Sequence, residues 1–334
     1  MKLNNSTRLA LTIVAGFMFV LIMIPVTFVT FATPHTIEVV SPEASTLAIN
    51  ELENDFYITV YRTATSEFQE IEFERYLIGV VAAEMPALFE LDALRAQAIA
   101  ARTYAMRILE HDDYILDTVM HQVFLDDDQL RERWGDAFEL HFSTIEEAVM
   151  STQGMVITYD DQLITPMFFA MSSGATENSE DVFLTARPYL RSVASSGYED
   201  HANFAVEEGF TIEDLRVAFE DNEITAESVT ILQTSVGGNV KQIQMGRETF
   251  SGRDVREILG LRSAAFSIES VSGGLIFTTY GNGHGVGMSQ HGAHIMAQNG
   301  YDYTEILQHF YQNITLVEKG DVSMNRPLKT ASSQ

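Results

Sequence analysis

Between Phe73 and Leu109 one carboxylate falls where a core residue belongs. Leu77, Val80 and Val81 stand at i, i+3 and i+4 and form an apolar helical stripe, and the next position on it, i+7 from Leu77, is Glu84. Pro86 disfavours helical geometry at the residue before it, so a helix from about Phe73 to Met85 ends there with Glu84 in its last turn. Desolvation and the negative end of the helix dipole both disfavour a charged carboxylate, which is how a general acid is made near neutral pH. The plainer reading is a last turn that frays into solvent and leaves Glu84 an ordinary surface acid.

Further candidates follow along the chain. In a second helix Leu94, Ala98, Ala101, Ala105 and Ile108 hold a face of mostly small residues, with Gln97, Arg102 and Tyr104 embedded among them as polar contacts or as satisfied core groups. Ser172 and Ser173 end a strand candidate, where small hydroxyls are readily presented at a cleft mouth. GNGHGVGM (281–288) reads as backbone that approaches a ligand closely, and it fits neither a Walker nor a dinucleotide spacing. His291 and His294, at i and i+3, could share a metal, but no His-Glu-x-x-His pattern or nearby carboxylate accompanies them, so neither a metal nor another cofactor is expected. Glu177, Glu180 and Asp181 are the acids that could supply a second carboxylate, or they simply cap and solvate a turn.

Four ordered blocks carry a resemblance. EMPALFELDALRAQAIAARTYA (84–105), DTVMHQVF (117–124), SSGATENSEDVF (172–183) and GNGHGVGMSQHGAHIMA (281–297) together resemble the stage II sporulation protein D family, over about Phe56 to Leu316. Phe124, Ala175 and Phe183 depart from the family pattern, as does the absence of cysteine, because some relatives are thought to hold a Cys/His zinc site. The resemblance implies a peptidoglycan lytic transglycosylase acting on stem-peptide-free glycan strands during engulfment, beside a membrane-bound amidase and a third sporulation membrane protein. Glu84 would be its catalytic acid/base. Gln97, Arg102, Tyr104, Gln122, Ser172, Ser173, Thr176, His284, Ser289 and Gln290 would be its substrate-binding residues, with the glycine block opposite Glu84.

In that mechanism the muramyl C6 hydroxyl attacks intramolecularly. Its high effective molarity makes a second carboxylate dispensable, whereas a glycoside hydrolase usually needs two. A two-carboxylate hydrolase and a non-catalytic glycan-binding scaffold are the alternatives.

The elements that must position these residues read as α+β, helices mixed with hairpins and no regular βαβ alternation. Residues 1–8 form a cytoplasmic tail. Leu9–Ala32, 24 residues without a charge behind Lys2 and Arg8, is long enough to span a bilayer and is expected to be an uncleaved signal anchor with the remainder outside; a cleaved signal peptide is the alternative. Residues 33–55 are a linker, 56–204 and 274–320 the catalytic domain, 205–273 an inserted α+β subdomain, and 321–334 a tail. Strands are expected at Tyr57–Arg62, Phe68–Phe73, Met155–Tyr159 and Leu163–Ala170, and a helix at Thr144–Gln153 with Thr144 and Glu147 as a capping box. Ser251 reads as the N-cap of a helix in the insertion. The 334 residues carry 47 acidic and 20 basic side chains, and a net charge of −27 argues against nucleic acid as a partner.

Overall fold

The computed structural model describes residues 56–183 and 185–322. Strand β1 (Tyr57–Arg62) alternates exposed and buried side chains and pairs antiparallel with β2 (Glu67–Glu72), while β3 (Ile115–Leu116) joins its other edge in parallel. Helix α1 (Phe73–Glu84) follows β2 directly. The Glu72 carboxylate accepts from the Glu74 and Arg75 amides and caps its first turn, and Met85, in extended geometry before Pro86, ends it. Leu77, Val80 and Val81 are completely buried, and each contributes roughly 1.5–3 kcal/mol of apolar transfer.

Helix α2 (Leu91–Leu109) is the centre of the larger lobe. Ala98, Ala101 and Ala105 have no exposed surface, and small side chains let neighbouring backbones approach closely. Around α2 pack α1, α4 (Phe138–Met150), β4 (Met155–Tyr159), α8 (Gln290–Gln298) and α9 (Tyr303–Phe310). Helix α3 (Asp127–Trp134) precedes α4 and is capped by Asp126. β4 pairs with β5 (Gln162–Leu163) and with β16 (Thr315–Glu318), and β6 (Phe168–Phe169) pairs in parallel with β15 (Met288–Ser289). The short strands β7 (Gly174–Ala175) and β8 (Ala194–Ser195) flank α5 (Ser179–Phe183).

The second lobe gathers β9 (Ala205–Thr211), α6 (Ile212–Ala218), β10 (Val229–Thr234), β11 (Val240–Met245), β12 (Glu248–Phe250), α7 (Gly252–Leu259), β13 (Phe266–Val271) and β14 (Gly274–Tyr280). Its sheets run β10-β11-β12 and β13-β14-β9, around an apolar cluster of its own that includes Leu215, Ile243, Val255 and Phe277. Ser251 caps α7 and accepts from the Asp254 amide. The architecture of the described residues is mixed α+β.

Several local expectations are corrected. Helix α4 begins at Phe138, so Thr144 lies inside it and donates back to the Leu140 carbonyl at 3.0 Å instead of capping. The strand expected over Leu163–Ala170 is broken at Thr165–Pro166 into β5 and β6, which belong to different sheets. The turn expected over Asp160–Gln162 is the pair Asp160–Asp161, both at positive φ, and Gln162 already belongs to β5. β14, expected to reopen the main domain after Gly273, hydrogen-bonds to β9 and β13 and puts Leu275 and Phe277 into the second lobe's core. No helix of the described residues is long and apolar enough to cross a membrane. The apolar run Leu9–Ala32 lies outside the described residues.

Candidate active site around Glu84

Glu84 is the last residue of α1 and is half-buried. Its carboxylate accepts from the Val123 backbone N–H at 3.4 Å, and the Gln290 side-chain amide also acts on it. Desolvation outweighs both hydrogen bonds and raises its pKa above the usual carboxylate range. No carboxylate is among the groups that act on it among the described residues.

Three elements meet here. The α1 terminus delivers Glu84. The segment after β3 delivers Val123 and buries Gln122, which accepts from the Tyr76 hydroxyl at 3.3 Å and donates to the Ala101 carbonyl at 3.3 Å. The start of α8 delivers Gln290, whose Nε2 lies 3.5 Å from Oε1 of the fully buried Gln97. Gln97 Nε2 has no hydrogen-bond partner among the described residues. Tyr104 is half-buried close to Tyr76, and burial raises the pKa of both phenols.

The loop after α1 closes over α8. The Glu90 N–H donates to His294 Nδ1 at 3.0 Å, Phe89 stacks on His294 with ring centroids 4.3 Å apart, and it meets His291 edge-on at 5.1 Å. The histidines considered as metal ligands are therefore packed against this loop. Among the described residues no group of three or more His, Cys, Asp or Glu side chains is arranged to hold a metal ion.

The remaining sequence candidates have partners of their own. Arg102 has no exposed surface; its Nη2 lies 2.6 Å from Glu74 and it also donates to the Met155 and Val149 carbonyls, which makes it a core ion pair. Ser172 and Ser289 join a buried hydroxyl network around Tyr198, with Ser172 Oγ 2.5 Å and Ser289 Oγ 3.4 Å from its hydroxyl. Ser289 also caps α8 by accepting from the Gly292 amide. Thr176 is buried and bonds the backbone of Arg191 and Val193, and Ser173 donates to the Gly237 carbonyl of the second lobe.

His284 forms no hydrogen bond or ion pair with Glu84. Its Nδ1 accepts from the Val286 amide at 3.0 Å, its ring packs against Phe169 and Phe183, and burial pushes its pKa down to about 4. The glycine block does approach something closely, but that is this protein's own backbone. A Cβ at Gly287 would come within 2.0 Å of the Met167 carbonyl oxygen, and one at Gly281 within 2.4 Å of that of Met171, both at positive φ. Sequence reasoning missed Tyr198 and Val123. Nothing in the chain marks Tyr198, and Val123 acts through its backbone, which no side-chain motif reports.

The family model for stage II sporulation protein matches residues 61–159, the segment that carries Glu84. Stage II sporulation protein D of Bacillus amyloliquefaciens is 36% identical over 295 residues, covering 86% of this chain and 85% of the relative. The chain belongs to the stage II sporulation protein D family. The Bacillus subtilis member is 37% identical over 80% of this chain and 81% of its own length. The family likeness extends more weakly to the amidase enhancer of Bacillus subtilis, 26% identical over 72% of this chain and 40% of that protein.

Proposed function

We propose that this chain is a membrane-anchored peptidoglycan lytic transglycosylase that cleaves the β-1,4 bond between N-acetylmuramyl and N-acetylglucosaminyl residues of stem-peptide-free strands during engulfment. The observation that carries the reading is a single half-buried carboxylate, Glu84, whose pKa is raised by burial and whose partners are neutral. In its protonated form Glu84 gives its proton to the leaving oxygen. As a carboxylate it then takes the proton of the C6 hydroxyl as that oxygen closes the 1,6-anhydro ring. Closure within one sugar supplies the nucleophile at high effective concentration, so no activated water is needed.

The acids nominated for a hydrolase are engaged at the lobe junction instead. Glu177 accepts from Ser235 Oγ at 2.6 Å and from the Asn239 amide, Glu180 pairs with Arg191, and Asp181 lies 2.7 Å from Lys241 Nζ. That favours one carboxylate over two. Leu88 on the loop after α1, and Val119 and Met120 on the loop that brings Val123 to Glu84, expose most of their surface and offer apolar flanks to a sugar strand. The proposed location is outside the cytoplasmic membrane, tethered by Leu9–Ala32. The proposed partners, a membrane-bound amidase and a third sporulation membrane protein, draw support from the likeness to a protein named amidase enhancer.

The test is digestion of stem-peptide-free glycan strands by the wild type and by Glu84→Gln, with product ends read by mass. Anhydro-muramyl ends from the wild type alone support the reading. Reducing ends, or equal cleavage by both proteins, sink it.

A further inference from the structure

A cavity of about 510 Å³ opens where α5, β11, α7 and the glycine block meet. Glu84, Gln290 and Val123 do not line it, while His284 does. Its polar lining is unevenly matched. Lys241 is paired with Asp181 at 2.7 Å and Arg253 with Glu257 at 2.9 Å. Arg256, half-buried on α7, donates Nε to the Leu261 carbonyl at 3.3 Å, and among the described residues no carboxylate lies within 4.0 Å of its guanidinium. Burial lowers its pKa, against the opposing pull of the Glu257 charge and with the like charge of Arg253, so the guanidinium sits partly desolvated with no direct ion pair.

A guanidinium presents parallel N–H donors that match a carboxylate or a phosphate. The surroundings favour the carboxylate. Asp181, Asp254 and Glu257 also line the cavity, so a dianion would meet repulsion that a monoanion largely avoids. His284 adds no charge near neutral pH, because its pKa lies at about 4. Phe183, set edge-on to the His284 ring, and Val182 give one side of the cavity an apolar wall, and Asn239 adds a polar group. A charged fork beside an apolar wall is the complement of a sugar ring that bears one carboxylate.

We propose that this cavity is a second glycan subsite, in which Arg256 binds the lactyl carboxylate of a muramyl residue whose ring lies against Phe183. The assignment rests on the peptidoglycan reading above. It gives that reading a selectivity device. A stem peptide converts the lactyl carboxylate to an uncharged amide and adds bulk, so a substituted strand loses the ion pair and no longer fits.

The test measures binding to the full chain in detergent micelles, with N-acetylmuramic acid, its methyl ester, N-acetylglucosamine and inorganic phosphate as probes. The acid is expected to bind at least about tenfold more tightly than the ester or N-acetylglucosamine, which corresponds to the loss of one charged hydrogen-bonded contact. Arg256→Gln, checked for an unchanged unfolding temperature, should erase that preference. Equal binding of acid and ester to the wild type overturns the proposal without reliance on any variant, as does tighter binding of phosphate than of the acid, or an undiminished preference in Arg256→Gln. Cleavage is read separately. If Glu84→Gln cleaves strands as the wild type does, the catalytic reading falls, while a retained acid preference that depends on Arg256 still upholds the subsite.

Discussion

The two ends of helix α1 carry two carboxylates removed from water to different purposes. Glu74, in the first turn, is 3% exposed and is gripped by Nε and Nη2 of Arg102, on the helix end whose dipole favours negative charge. Glu84, at the last residue, has a long backbone hydrogen bond and a neutral amide, on the end whose dipole opposes negative charge. Burial therefore acts differently on the two carboxylates. The one met by a guanidinium becomes part of a core ion pair, and the one met only by weak neutral donors has its pKa raised.

Substitutions can break this contrast. The largest effect is expected from Glu84→Gln, which should lower glycan cleavage by roughly 10²–10⁴-fold while leaving the circular dichroism spectrum and the unfolding transition in place. Next is Arg102→Ala, which strands the Glu74 carboxylate in the core. It should destabilise the protein by roughly 3–5 kcal/mol in denaturant titration, with part of the loss recovered in the Arg102→Ala/Glu74→Ala double variant. Removing the N-terminal cap with Glu72→Ala should cost about 1 kcal/mol of stability and leave cleavage by the folded protein unchanged.

The smallest effect is a pH dependence. The folded-state pKa of Glu84 is raised above its unfolded value, so its contribution to stability is complete below the unfolded pKa and is lost as pH rises through the folded one. Glu84→Gln removes that loss. The variant's unfolding temperature should gain on the wild type as pH rises from about 4 to about 8. A gain that runs the other way would mean that Glu84 is stabilised as a carboxylate, which would remove the contrast with Glu74.

Much of the local structure was legible in the chain. The i, i+3, i+4 stripe located α1 and put Glu84 in its last turn, and Pro86 marked the end. Ser251 announced a helix that it does cap. Thr144 with Glu147 gave the same signal falsely, because Phe138 and its neighbours continue the helix upstream and leave Thr144 an interior position.

The sequence by itself determined the family, the α+β character of the chain and the acid on the buried stripe, since all three rest on short-range spacing and on ordered motifs. Only the tertiary structure decided which motif residues meet. Arg102 and Gln97 sit one turn and a fraction apart on α2, yet one faces Glu74 in the core and the other faces Gln290 beside Glu84. Likewise His284 and Gln290 share one motif, but the parallel pairing of Met288–Ser289 with Phe168–Phe169 lies between them, and they end at different sites. Spacing along a chain fixes the direction of a side chain within its own element. Its partner is set by contacts between residues far apart in sequence, and those are chosen by the packing of the whole core.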